Sequence, residues 1–185
     1  MTVARPSTPA SYFHLLRRQA YERPRTPLIV FTPKAMLRLR GATSEVSDFT
    51  NGKFEPVIDD NRVADKSAVK RVLLTSGKIY YDLIGELDKR EVQDIAVVRM
   101  EQFYPVPSEG LNRVLQQYPN ADLVWTQEES ENQGAWPFIC LEVVRHLEGR
   151  TIKVASRPAS ASPATGSSKR SAIEQADLIN RALAL

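Results

Sequence analysis

Few folds accommodate the stretch RVLLTSGKIYYDLIGEL, residues Arg71–Leu87. Val72–Thr75 is a short apolar run of strand formers. It breaks at Ser76-Gly77-Lys78, and Ile79, Tyr80, Leu83, Ile84 and Leu87 then recur at helical spacing. A strand that enters a helix through a three-residue turn opens a doubly wound α/β domain. The alternation continues with strands at Ile95–Val98, Leu123–Thr126 and Ile152–Ala155. Helices are expected at about Ser108–Gln117, Trp136–Leu147 and Ser171–Leu183, with Pro107-Ser108 starting the first, Gly149 stopping the second, and Ser171 and Glu174 as a capping box for the third. Such alternation predicts a three-layer, mostly parallel sheet covered on both faces.

The chain ahead of this unit reads differently. Thr2–Ala4 is the end of a strand, Thr8 and Pro9 open a helix that runs to about Tyr21, and Leu28–Phe31 is a second strand. Two parallel strands and one helix cannot bury their own apolar faces. Either they join the later sheet or they belong to a larger one. Lys34–Lys70 is the connection: one or two helical turns at Ser44–Phe49, a short edge segment at Phe54–Ile58, and a charged, exposed loop at Asp59–Asp65.

A chain of 185 residues has room for one full domain and a little more. A single cysteine, Cys140, excludes an internal disulfide framework. No run approaches the ~20 apolar residues of a membrane span, and MTVARPSTPA lacks the apolar centre of a secretory signal, so the expected compartment is the cytoplasm. Residues 1–43 hold eight Lys/Arg against one acid, Glu22, whereas residues 44–185 hold seventeen against twenty-one. The basic part is broken by prolines and apolar helix positions, which argues against nucleic acid and for a local anion site or a contact with an acidic face.

In open parallel sheets ligands favour the crevice beyond the strands' carboxyl ends. The loops expected there are Thr75–Lys78, Arg99–Gln102, Gln127–Glu129 and Arg157 with the residues after it. Ser76-Gly77-Lys78 offers backbone N–H groups and a cation to an anion, yet without the glycine-rich run of a P-loop it reads as a tight turn with a solvated lysine. Glu128 and Glu129 point to opposite sides of a strand and cannot form an acid–base pair. His14 and His146 are surface or half-buried helix residues without partners at metal-ligand spacing, Cys140 packs in a core helix, and Trp125 and Trp136 fill a core or an interface.

Six phrases in order, PSTPASYFHLLRRQA, PLIVFTPKAMLR, LLTSGKIYYDL, VVRMEQFYPVP, QEESENQGAW and RPASASPATGSS, cover essentially the whole chain. Together they resemble the C-terminal end of the thiamine diphosphate-dependent first component of the 2-oxoglutarate dehydrogenase complex. The opening MTVARPSTPASYFHLLRRQA is most similar to the actinobacterial, multifunctional decarboxylase/dehydrogenase form. The resemblance implies that residues 1–45 are the tail of the pyrimidine-binding domain and that residues 46–185 form a transketolase-like C-terminal domain that helps hold a homodimer. It places the residues for thiamine diphosphate, Mg and substrate upstream of Met1, so that no catalytic, cofactor or metal residue is expected here and the piece alone is inactive. The implied partners are the lipoyl-bearing succinyltransferase component and, in the actinobacterial form, a forkhead-associated regulatory protein.

The same resemblance implies an allosteric acetyl-CoA site at Thr2, Arg18, Lys53 and Gln102, with Arg18 and Lys53 meeting phosphates. This chain departs from that form at Glu109-Gly110, where the form carries two arginines, which predicts weaker phosphate binding. The alternative expectation is a free-standing α/β module that binds a nucleotide or acyl-CoA without chemistry.

Overall fold

A computed structural model describes residues 1–184. The elements in chain order are β1 (Thr2–Ala4), α1 (Pro9–Tyr21), β2 (Leu28–Val30), α2 (Val46–Asn51), β3 (Val57–Ile58), β4 (Arg71–Thr75), α3 (Ile79–Lys89) and β5 (Ile95–Met100). They continue with β6 (Gln102–Tyr104), α4 (Ser108–Leu115), β7 (Asp122–Ser130), α5 (Trp136–Leu141), β8 (Ile152–Arg157) and α6 (Ser168–Leu183). Five strands form the main sheet in the order β3-β5-β4-β7-β8; its four long strands are parallel, and β3 adds an antiparallel edge. The molecule is thus a mixed α/β structure whose strands are mostly parallel.

Strand alternation sorts the core onto two faces. Val72, Leu74, Ala96, Val98, Leu123 and Trp125 meet α4 and α5 through Leu111, Leu115 and Ile139. Their neighbours Leu73, Ile95, Val97, Val124 and Ala155 meet α3 and α6 through Leu83, Leu87, Leu178 and Ala182. At ~1.5–3 kcal/mol for each fully buried aliphatic side chain, this alternation outweighs any local preference of the chain.

The amino-terminal unit builds a second, three-stranded sheet, β2-β1-β6. Its third strand, β6, was hidden in the sequence because it follows β5 after one residue, Glu101, and turns to run antiparallel to β1. A small core of Ala4, Leu15 and Phe54 backs this sheet. The early strands therefore neither join the main sheet nor stand alone, and β2 ends the small sheet as an edge with Ile29 exposed.

Glu101 fixes the two parts to each other. Its side chain is 0% exposed, and one carboxylate oxygen accepts from the Ser7 N–H and the Ser11 hydroxyl, each at 2.7 Å. The other oxygen is buried without a partner. Arg99 donates to the Ser7 hydroxyl at 3.0 Å and stacks on Tyr80, while the Tyr81 hydroxyl donates to the Ser7 carbonyl at 2.6 Å. Burial pushes the Tyr81 phenol up to about 12. Beside them, Arg5 lies across Gly77 and meets Glu129 at 3.1 Å.

Several local expectations are corrected. The helix expected over Trp136–Leu147 is α5 followed by a 3-10 turn at Val143–His146, and Cys140 faces solvent because the buried stripe runs through Ile139 and Val143. The cap of α6 is Ser167, which accepts from the Arg170 N–H, whereas Glu174 serves Thr165, Arg157 and Arg170. Asp60, expected in an exposed loop, is buried, accepting from the Val97 N–H at 2.8 Å and pairing with Arg62. His14 is buried, not half-exposed, because α2 folds over it.

Burial raises the Glu101 carboxyl against the opposing pull of Arg99 and the serine donors. A carboxyl that holds its proton more tightly when folded stabilises the fold below its ordinary value of about 4.3, and that contribution is lost as pH rises through the raised value. Glu101→Gln removes this dependence, so in urea titrations the wild type loses stability relative to the variant as pH rises through that window. A parallel difference at all pH values refutes the assignment. Glu101→Ala leaves two buried donors unpaired and costs about 2–4 kcal/mol. Gly77 has φ +72°, and a Cβ there would lie 2.4 Å from Arg5 Nε. Gly77→Ala is expected to cost at least about 1–2 kcal/mol in the same titration.

Candidate functional site

In the crevice favoured by ligands in parallel sheets the charged side chains are already paired within the chain, although a cavity of ≈ 280 Å³ remains between the ends of β7 and β8 beside Glu128, Glu129 and Arg157. Strand order reverses between β4 and β7, and the carboxyl ends of these strands meet there. Arg5 covers Gly77 and binds Glu129, and Lys78 is held between Asp82 at 2.6 Å and Glu128 at 2.9 Å. Lys78 is therefore not the solvated lysine the sequence suggests. Its two carboxylates and their hydrogen bonds raise it against burial. Glu128 and Glu129 serve different cations, as their opposite directions require.

Arg157 is likewise committed, to Thr165, Ser171, Glu174 and Gln175. Gln127 organises the neighbouring loop. Its amide oxygen accepts from Trp125 Nε1 and the Trp136 N–H, and its NH2 donates to carbonyls of Ser130 and Gln133. His146 is exposed and Trp136 half-buried. Among the described residues no three His, Cys, Asp or Glu converge as metal ligands.

A second concavity lies on the amino-terminal unit, where α1 meets the segment after α2. His14, Arg17, Arg18, Tyr21, Glu22, Lys53 and Phe54 line it, enclosing ≈ 470 Å³. Three cations face one carboxylate, and that carboxylate, Glu22, sits 3.7 Å from Arg18 Nε.

Arg18 is the best-positioned of these groups. It donates to the Gln102 side-chain oxygen at 2.7 Å, and its guanidinium lies 4.4 Å from the centroid of the Phe54 ring. Gln102 donates in turn to the Pro105 carbonyl at 2.8 Å. Desolvation lowers Arg18, with Glu22 opposing. Lys53 is held loosely: its side chain is 82% exposed and stands 3.4 Å from Glu55. Thr2 lies on β1, which pairs with the strand that carries Gln102, and its N–H donates to the Pro27 carbonyl at 2.8 Å. Thr2 and Gln102 thus lie on the small sheet, Arg18 on the helix packed on it and Lys53 in the segment after α2; of the four, Arg18 and Lys53 line the groove.

Sequence reasoning missed His14 and Arg17 as groove residues. The signal was present in the i, i+3, i+4 spacing of His14, Arg17 and Arg18 on α1. Glu109, the departure noted above, is exposed in the first turn of α4, where an acid suits the helix N-terminus.

Comparison with known proteins agrees with the resemblance. Residues 43–183 match the family described as 2-oxoglutarate dehydrogenase C-terminal. The multifunctional 2-oxoglutarate metabolism enzyme of Mycobacterium sp. (strain JLS) is 47% identical over 193 residues, covering 100% of this chain and 15% of that protein. The 2-oxoglutarate dehydrogenase E1 component of Cupriavidus necator is 45% identical over 186 residues, covering 100% of this chain and 20% of that protein. The chain thus spans a fifth or less of the curated relatives it matches. With the family matched across most of its length, the chain belongs to the 2-oxoglutarate dehydrogenase C-terminal family.

Proposed function

We propose that the chain is the C-terminal region of a 2-oxoglutarate dehydrogenase first component, in which it supports subunit assembly and binds an anionic effector while the chemistry is done elsewhere. The observation that carries this reading is identity of 45–47% to two such proteins along the full chain. Residues 1–45 then belong to the pyrimidine-binding domain and residues 46–185 to a transketolase-like C-terminal domain. The complete enzyme decarboxylates 2-oxoglutarate on thiamine diphosphate and passes the acyl group to a lipoyl-bearing succinyltransferase. The residues present here do not fit thiamine diphosphate and Mg: the acidic side chains at the crevice, Glu101, Glu128 and Glu129, are each committed to serines, Lys78 or Arg5. The cofactor is assigned to other parts of the longer relatives.

Two exposed apolar surfaces support the assembly role. Pro137, Cys140, Leu141 and Val144 follow one another at helical spacing and all face solvent. Ile29 and Phe31 stand exposed at the β2 edge. Surfaces of this kind drive association. The chain is expected to self-associate as its concentration rises in light scattering, and a monodisperse monomer throughout contradicts the assembly role.

The effector reading assigns the groove at Arg17, Arg18 and Lys53 to acetyl-CoA, with Thr2 and Gln102 beside it. Its support is the gathering of Arg17, Arg18 and Lys53 in one groove, with Arg18 lying over the Phe54 ring, which suits phosphate groups. Titration of acetyl-CoA by calorimetry tests it. Arg18→Ala should weaken binding about tenfold or more, the scale of one lost charge-assisted hydrogen bond. Glu109→Arg should strengthen it, most visibly at low salt. Equal affinity in wild type and Arg18→Ala removes Arg18 from the site.

A further inference from the structure

Resting on the reading of the α1 groove as an anion site, we propose that the groove is proton-linked through His14: anion binding is accompanied by proton uptake at the His14 imidazole. His14 lines the groove and is 3% exposed. Its Nε2 lies 2.8 Å from the Asp48 carbonyl oxygen. A carbonyl only accepts, so Nε2 carries the hydrogen, and in the neutral ring Nδ1 keeps a lone pair. That Nδ1 is buried with no hydrogen-bond partner. The ring thus has an unused protonation site inside the groove wall.

The charges around it decide what protonation requires. On α1 these are Arg17 and Arg18, with Glu22 at its end, drawn to Arg18. On α2 the Asp48 carboxylate is held by the Glu45 N–H at 2.9 Å, in a capping box with Glu45. In the following segment Lys53 stands against Glu55. On the β5–β6 corner Glu101 is taken by Ser7 and Ser11, and Gln102 by Arg18. None of these carboxylates hydrogen-bonds to His14, so an imidazolium there has cations for neighbours and no anion of its own. A phosphate group lodged among Arg17, Arg18 and Lys53 supplies that anion and favours the charged ring. By reciprocity, the proton then strengthens anion binding by the same factor.

The backbone next to the ring carries the same coupling to Lys53. A Cβ at Gly52 would lie 2.8 Å from His14 Nε2 and 2.3 Å from the Asp48 oxygen, so the chain leading into Lys53 is laid directly on the imidazole. The ring is therefore in contact with the segment that presents one of the groove's cations.

The test is calorimetric binding of inorganic pyrophosphate between about pH 8 and pH 6, the range in which histidine titrates. His14→Gln offers a side-chain N–H in place of Nε2–H but takes up no proton. Wild-type affinity should rise about tenfold more than that of His14→Gln across this range, the effect of a one-unit linkage. Paired buffers of different ionisation heat should show proton uptake in wild type that the variant lacks. Parallel pH dependence in the two proteins overturns the proposal while leaving the anion groove standing. Absence of pyrophosphate binding at every pH removes the groove reading itself, and the linkage with it. Should His14→Gln fail to fold, the His14 ring resonances of the wild type decide: a titration midpoint unmoved by pyrophosphate overturns the linkage.

Discussion

The grip of residues 99–102 on α1 is the contact on which the remaining arrangement depends. Glu101 and Gln102 are consecutive, yet they hold α1 two turns apart, Glu101 at Ser11 and Gln102 at Arg18. Seven residues bring a helix back to the same face, so both attachments and the buried Leu15 between them lie along one stripe. The main-sheet strand β5 ends at Met100, Glu101 is the single linking residue, and the small-sheet strand β6 begins at Gln102. One dipeptide therefore sets the roll of α1, the spacing of the two sheets and the place of the groove's best-ordered cation.

This contact also explains why the amino-terminal segment lies across the main sheet's crevice at Gly77. The N-terminal segment must cross the carboxyl ends of the parallel strands for Ser7 to reach Glu101, and that path lays Arg5 over Gly77. A residue with a Cβ at position 77 would crowd Arg5, and φ +72° favours glycine. In the polar loops that would serve a ligand in a free-standing doubly wound domain, Gly77, Arg99, Glu101, Gln102 and Glu129 meet the amino-terminal unit instead. Lys78 and Arg157 carry charge, as their loops led one to expect, but each is neutralised by carboxylates of this chain.

Much of this architecture is legible in residue patterns. The alternation around Val72–Leu87 identifies the parallel sheet, because a strand buried on both faces must read as a continuous apolar run. Thr8 and Pro9 mark the start of α1, where the Thr8 hydroxyl accepts from the Ser11 N–H. β6 is illegible because Gln102–Tyr104 pairs only with β1, some hundred residues away, and no local pattern encodes that partner. Burial of Asp60 escapes notice for the same reason: its partner, the Val97 N–H, is distant in sequence and the residues on either side of it, Asp59 and Asn61, are polar. The exposure of Cys140 follows from the break after Leu141, where the helix tightens into a 3-10 turn and an almost wholly apolar sequence leaves one side uncovered. As for the groove, position 18 is readable as a basic helix residue, but its stacking on Phe54 and its bond to Gln102 arise only when three distant segments meet.

The groove's energetics turn on what Arg18 already does. Its pairing with Glu22 at 3.7 Å is a partly exposed i, i+4 contact worth about 0.3–0.5 kcal/mol, so an incoming anion displaces it at little cost. The stacking on Phe54 is of a different kind. It needs none of the guanidinium N–H groups, so a phosphate that takes those N–H groups can keep it. Gln102 is the true competitor, since it occupies one edge nitrogen through a bond to a charged donor, worth about 1.5–3 kcal/mol. A ligand that releases Gln102 also frees the amide that holds the Pro105 carbonyl, and the residue before Gln102 is the buried Glu101. In the proposed effector reading, a ligand that releases Gln102 thus acts next to the corner that joins the two sheets, whereas a ligand that binds only the remaining edge of Arg18 leaves that corner undisturbed.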